Sequence, residues 1–162
     1  PFCKRVQTTL EKIRKKYSNE VHFGYRHFPL PFHKEAQGLA QAVECARDQD
    51  KFWELQSLFY KNISNSANDK EVLGMAKRAG IDNIRDFEFC WRNGKYAERV
   101  KNDIRDGIDL GIQGTPTFIL GVYDQETQTV SGEMFSGAVS EEKFVQVIEK
   151  YLSSTRTEAK LK

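Results

Sequence analysis

Val6, Leu10, Ile13 and Tyr17 recur at steps of four, three and four residues, so residues 1–17 predict a helix with one apolar face. Ser18-Asn19 breaks it. Val21, Phe23 and Tyr25 then alternate with His22, Gly24 and Arg26, and the switch to period two predicts a strand ending near His27. The prolines of Phe28-Pro29-Leu30-Pro31 close that strand, because neither can donate to a ladder. From Lys34 to about Gly111 the pattern is almost wholly helical. Ala36, Leu39, Ala40 and Val43 form one stripe; Phe52, Leu55, Leu58 and Phe59 form a second after the Asp48-Gln49-Asp50 break. Asp69 is read as the N-cap of a segment running to Gly80, a C′ residue, and Asp82 and Gly94 bracket a helix with Ile84, Phe87 and Trp91 along one side. Ala97, Val100, Ile104 and Ile108 mark the last helix of the block, ending at Gly111. Strand character returns in the β-rich Thr117 to Tyr123, a polar turn follows over Asp124 to Thr127, and a second strand is predicted within Thr129 to Phe135, irregular at Ser131-Gly132. Ser140-Glu141-Glu142 starts a closing helix carrying Phe144, Val147, Ile148, Tyr151 and Leu152. The order is helix, strand, helical block, hairpin, helix, with no strand ahead of the first helix.

At 162 residues the chain suits one domain, with room for an inserted subdomain. Its composition, 39% hydrophobic and 12% aromatic, is that of a soluble globular protein. Charges nearly balance at +2, which is no footprint for nucleic-acid binding. The local cluster Lys12, Arg14, Lys15 and Lys16 shares its helix with the apolar stripe and reads as that helix's solvated face. No apolar run approaches the ~18 residues of a membrane helix. No signal segment is recognisable, but a chain that opens inside a motif says little about its compartment.

That motif is Pro1-Phe2-Cys3. A Pro-x-Cys at the mouth of an amphipathic helix is the second half of a Cys-Pro-x-Cys redox pair, whose first cysteine would precede Pro1. There the free N–H groups and the positive end of the helix dipole favour a thiolate. Pro1 suits the first helical position, which needs no N–H. The plain alternative is an ordinary buried cysteine. Three cysteines, Cys3, Cys45 and Cys90, are too few for a disulfide scaffold and lack zinc-site spacing. One distant pair plus one leftover thiol is what a redox protein would show after losing one active-site partner to truncation. His22, His27 and His33 have no metal-ligand spacing and are read as strand-edge and helix-start residues, so no metal and no cofactor is expected. Trp53 and Trp91 are read as core aromatics.

The element order, together with Pro1-Phe2-Cys3, Arg26-His27-Phe28-Pro29-Leu30, Gln49-Asp50-Lys51-Phe52-Trp53-Glu54 and Gly114-Thr115-Pro116-Thr117-Phe118, resembles the DsbA-like branch of the thioredoxin superfamily from residue 1 to about 152. The resemblance implies an α/β thioredoxin fold with an inserted all-helical domain. Residues 1–33 and 112–153 would form the thioredoxin-like part and 34–111 the insertion, with 154–162 a flexible tail. It also implies that the family's first, central strand and the attacking cysteine lie upstream of Pro1. Cys3 would then be the resolving cysteine of Cys-Pro-Phe-Cys, with Pro1 and Phe2 as its environment. An arbitrary X-Pro bond is cis in only about 5–6% of cases, and the plain reading of Pro116 is a strand-entry proline. The resemblance implies instead a cis Thr115-Pro116 loop against the disulfide, whose backbone pairs with extended substrate. It further implies a structural Cys45–Cys90 bridge, against the alternative of two buried free thiols. Phe2 cannot donate a hydrogen bond to a thiolate, so a milder oxidant is expected than with histidine at that position; Lys4 and Arg5 either compensate in part or are solvated and inert.

The expected function is a thiol:disulfide oxidoreductase, foremost an oxidase acting on reduced or misoxidised proteins outside the cytoplasm, in a periplasm or at a cell-envelope exterior. A membrane partner of the DsbB or vitamin-K-epoxide-reductase type would reoxidise it, and a monomer is expected. Three alternatives stay open: an isomerase or reductase, a non-catalytic thioredoxin-like binding domain if the residue before Pro1 is not cysteine, and an enzyme of the kappa glutathione transferase type.

Overall fold

The computed structural model describes residues 1–62 and 67–160, with side chains as far as 154. Its elements are α1 (Phe2–Lys16), α2 (Ala36–Arg47), α3 (Phe52–Asn62), α4 (Asp69–Arg78), α5 (Ile84–Arg92), α6 (Ala97–Asp109), β1 (Thr117–Asp124), β2 (Thr129–Ser136) and α7 (Glu141–Lys160). They fall into two units, Pro1–Gly24 with Gly114–Lys162, and Tyr25–Gln113.

The first unit is built on the hairpin. β1 and β2 pair antiparallel from Thr117↔Ser136 to Asp124↔Thr129. Alternation sends Phe118, Leu120 and Phe135 inward, where they meet Val6, Ile13 and Tyr17 of α1 and its end and Phe144 and Ile148 of α7. Phe118, Phe135 and Phe144 form a mutual set of ring contacts, with centroids 4.9 to 5.6 Å apart. β2 is unbroken through Ser131-Gly132, where the pattern suggested an irregularity. Gly132 faces Gly121, and a Cβ on either would meet the opposite strand's backbone at 2.1 Å, so these glycines permit close approach and do not interrupt the ladder. α7 continues through Lys160, beyond Ser153-Ser154, where the expected tail begins. Both serine hydroxyls donate to the Lys150 carbonyl, which satisfies them within the helix. Residues 161–162 lie outside the described residues.

The second unit is all-helical, and its core joins Val43, Phe52, Leu55, Phe59, Val72, Met75, Phe87 and their neighbours from α2 to α5. Each such side chain contributes about 1.5–3 kcal/mol by leaving water. Helix ends follow the sequence closely, with the caps displaced by one residue. Asn68, not Asp69, caps α4 in a capping box closed by Glu71, and Asn83, not Asp82, caps α5 by accepting the Asp86 N–H. Gly80, Gly94 and Gly111 each sit just past a helix at positive φ. Residues 63–66, which the pattern places inside the helical block, lie outside the described residues.

The strand expected over Val21 to His27 does not form a ladder: among the described residues the sheet has two strands, β1 and β2. Its side-chain alternation is nonetheless real. Val21, Phe23 and Tyr25 are half-buried and His27 is buried, while His22, Gly24 and Arg26 are exposed. Val21 and Phe23 pack against the first unit's core and Tyr25 against the second. The apolar residues are thus shared between two cores, and period two alone supplies no hydrogen-bonding neighbour.

The helical unit starts at Tyr25, earlier than the expected residue 34, because the backbone there is tied to helices. Buried Asp103 of α6 accepts the His27 N–H at 2.9 Å and the Arg26 guanidinium at 2.8 Å. Glu44, fully buried in α2, accepts from His27 Nε2, from Arg47 at 2.9 and 3.0 Å, and pairs with Arg99 of α6 at 2.9 Å. Burial alone would raise the Glu44 carboxyl, but the hydrogen bonds and charges of His27 and Arg47 outweigh it and hold its pKa down at about 2. Phe28 then lies against Gly107 of α6, where a Cβ would come within 2.5 Å of its ring.

Candidate redox site

Cys3 sits in the first turn of α1. Pro1 occupies the N-cap, one position ahead of the first helical residue where the sequence suggested it, and its carbonyl accepts the first helical bond from the Arg5 N–H at 3.0 Å. The Cys3 carbonyl accepts from Gln7 Nε2 at 3.1 Å, while its thiol is free and partly exposed. Phe2, 51% exposed, lies beneath the Arg5 guanidinium at 4.6 Å from the ring centroid. The first turn carries no acidic residue.

The second predicted segment belongs to the same unit. Gly114-Thr115-Pro116 leads into β1, and the Thr115–Pro116 bond is cis. The Pro116 carbonyl accepts the Gly137 N–H at 2.8 Å, and the Thr117 hydroxyl donates to the Gly114 carbonyl and pairs with Ser136 Oγ, each at 2.8 Å. These bonds hold the loop from both sides. Among the described residues the Thr115 N–H and C=O have no hydrogen-bond partner.

Cys45 and Cys90 are joined by a disulfide, with Cα atoms 5.9 Å apart, between α2 and α5 of the helical unit. Both are buried in its core beside Ala46 and Phe87. Of the three histidines His27 is a buried partner of Glu44, and His22 and His33 are exposed. Among the described residues no group of three His, Cys, Asp or Glu could hold a metal, and no helix is long and apolar enough to cross a membrane. The Glu44 and Asp103 centres went unnoticed in the sequence. Glu44 did carry a signal, as an acid inside the apolar run Ala42-Val43-Glu44-Cys45-Ala46, a pattern that implies a buried, paired carboxylate.

The solved structures with the same fold include ScsC of Proteus mirabilis in a compact conformation, at a TM-score of 0.73 and 21% identity over 96% of this chain and 78% of that one. The thiol-disulfide exchange protein α-DsbA2 of Wolbachia pipientis superposes at a TM-score of 0.75 and 18% identity, covering 92% and 74% of the two chains. A periplasmic thioredoxin-like protein of Salmonella enterica serovar Typhimurium gives 0.69 at 21% identity, over 94% and 78%. Among curated proteins, the Na(+)/H(+) antiporter NhaA 1 of Salinispora arenicola is 32% identical over 122 residues, which is 74% of this chain and 18% of that protein. The chain therefore spans about a fifth of the length of the curated relatives it matches. The family model described as thioredoxin matches residues 1–150. With its thioredoxin-type hairpin and flanking helices and its separate helical unit, the chain has the fold of the DsbA-like structures and belongs to the thioredoxin family.

Proposed function

We propose that this chain is a thiol:disulfide oxidoreductase of the disulfide-introducing type, working through Cys3 as the resolving half of a Cys-Pro-Phe-Cys pair. One observation carries the reading. Cys3 is a free, partly exposed thiol on the first turn of α1, while the other two cysteines are locked together in the helical unit. In the oxidised state Cys3 and the cysteine before Pro1 form the disulfide. A substrate thiolate attacks the outer sulfur, and Cys3 leaves as a thiolate. A second substrate thiolate then attacks the mixed disulfide, so two electrons pass from the substrate dithiol to the protein and the substrate gains its bridge. Phe2 offers no hydrogen bond to the departing sulfur, which favours a milder oxidant. The unpaired backbone of Thr115 offers an edge on which an extended substrate segment can align.

The similarity to a periplasmic thioredoxin-like protein supports a site of action outside the cytoplasm, where disulfides persist. A membrane quinone-linked protein of the DsbB or vitamin-K-epoxide-reductase type would return the pair to its oxidised state. The test is oxidation of a reduced, unfolded protein by the chain with its upstream cysteine in place. Cys3→Ser leaves no disulfide to accept the substrate's two electrons and should stop turnover; turnover at the original rate would refute the role given to Cys3. A reduction potential close to that of the thioredoxin pair, about −270 mV, would make the protein a reductant instead.

A further inference from the structure

The buried carboxylate of Glu44 is met by two arginines where one would balance its charge. Arg47 of α2 and Arg99 of α6 each bring Nε to 2.9 Å from the same oxygen, Oε2, so their guanidiniums lie side by side. Arg47 also donates from Nη2 to Oε1 at 3.0 Å and stacks its Cζ 4.2 Å from the centroid of the Phe52 ring, which fixes the plane of its guanidinium. Glu44 is fully buried while both arginines are half-exposed, so the inner edges of the two groups are occupied and their outer edges meet water. Among the described residues neither guanidinium has a second acidic partner. The acids closest to them along α2 and α6 are committed elsewhere: Asp48 to Lys95 and Tyr96, Glu98 to Lys101, and Asp103 to Arg26 and the His27 N–H. Two guanidiniums against one carboxylate leave a single positive charge, together with Nη donors on both arginines that have no acceptor among the described residues.

We propose that Arg47 and Arg99, held side by side by Glu44, form a binding site for one carboxylate group, that of a free carboxylic acid or of an Asp or Glu side chain on another protein. A guanidinium presents parallel N–H donors that match the two oxygens of a carboxylate, and the charge left over is one unit. A phosphate dianion would overcharge the cluster. Ordinary exposed ion pairs gain little, because two long side chains must be ordered to form them. Here Glu44 and Phe52 have already ordered the receiving side, so most of that cost falls on the ligand alone. The site lies wholly within the helical unit and does not depend on the role given to Cys3.

The test is a titration of the nitrogen-15-labelled 162-residue chain at neutral pH and constant ionic strength, following the Nε–Hε resonances of Arg47 and Arg99. The probes are sodium acetate, a neutral-ended tripeptide whose only charge is one glutamate side chain, its glutamine counterpart, and sodium chloride. Acetate should shift both resonances saturably, with half-saturation at about 10 mM, the scale left by two charge-assisted hydrogen bonds after the cost of association. Tighter binding of the glutamate peptide than of acetate identifies a protein side chain as the ligand, and equal or weaker binding a free carboxylate; either supports the site. Arg99→Gln should weaken binding about tenfold or more, read at Arg47, because one charge-assisted hydrogen bond is lost. Arg99→Lys should recover part of it through its charge, without the planar fork. Shifts that do not saturate, or that chloride or the glutamine peptide reproduces, overturn the proposal, as does an Arg99→Gln variant that binds acetate as before. The titration of the unaltered chain decides by itself should Arg99→Gln fail to fold.

Discussion

Replacing Glu44 with glutamine keeps the shape of the side chain and removes its charge from the centre of the helical unit. The carboxylate is fully buried and is served by His27, Arg47 and Arg99. Its pKa falls from 4.5 to about 2 on folding, a shift equivalent to about 3 kcal/mol of stabilisation. Arg47 and Arg99 are themselves 43% and 47% exposed, so water screens part of that, and about 2 kcal/mol is the working figure. In Glu44→Gln the amide brings donors against guanidinium donors, and buried His27 loses its anionic partner. The sign with pH follows from linkage. A carboxyl with a lowered folded pKa stabilises fully above its unfolded pKa of 4.5, and that stabilisation fades as pH falls toward 2. Urea unfolding read by tryptophan fluorescence is the assay, since both tryptophans, Trp53 and Trp91, belong to the helical unit. The variant should be about 2 kcal/mol less stable at pH 7, with a difference that shrinks steadily between pH 4.5 and 2.5. A difference under about 0.5 kcal/mol at pH 7, or one that does not change with pH, would show that the network does not stabilise the fold as reasoned.

Removing the bridge by Cys45→Ala with Cys90→Ala opens a loop of 45 residues and should cost about 4 kcal/mol in the same urea assay; a loss below 1 kcal/mol would contradict the loop-entropy account. Gly107→Ala drives a methyl to within 2.5 Å of the Phe28 ring, so it should destabilise the helical unit by about 1–3 kcal/mol, and Phe28→Leu should relieve much of that in the double variant. An additive double variant would mean that the two residues do not meet in solution.

Helices were legible because their signals are local. The stripe of Val6, Leu10, Ile13 and Tyr17 and the glycines at 80, 94 and 111 depend on a few neighbouring residues. The caps at Asn68 and Asn83 were each misplaced by one position. Asn and Asp cap about equally well, and the choice rests on which side chain reaches the third N–H, as Asn68 and Glu71 do reciprocally. The stretch from Val21 to His27 was misread as a strand because alternation reports which way side chains point, while a ladder needs a partner elsewhere in the chain. The cis bond at Thr115-Pro116 was legible only through the spacing of its segment relative to the helical block. The partnership of Glu44 with His27 and Arg99 joins residues 17 and 55 positions apart, and no periodicity of one helix reveals it.

The central claim is that Cys3 exchanges electrons with protein thiols. The most direct measurement is the turnover of a reduced protein substrate by the chain with a cysteine placed before Pro1, compared with the Cys3→Ser variant, with the disulfide-bonded product followed by mass under non-reducing conditions. The account predicts that the variant, with no active-site disulfide to take up the substrate's two electrons, forms no product. Product formation at the original rate would contradict it.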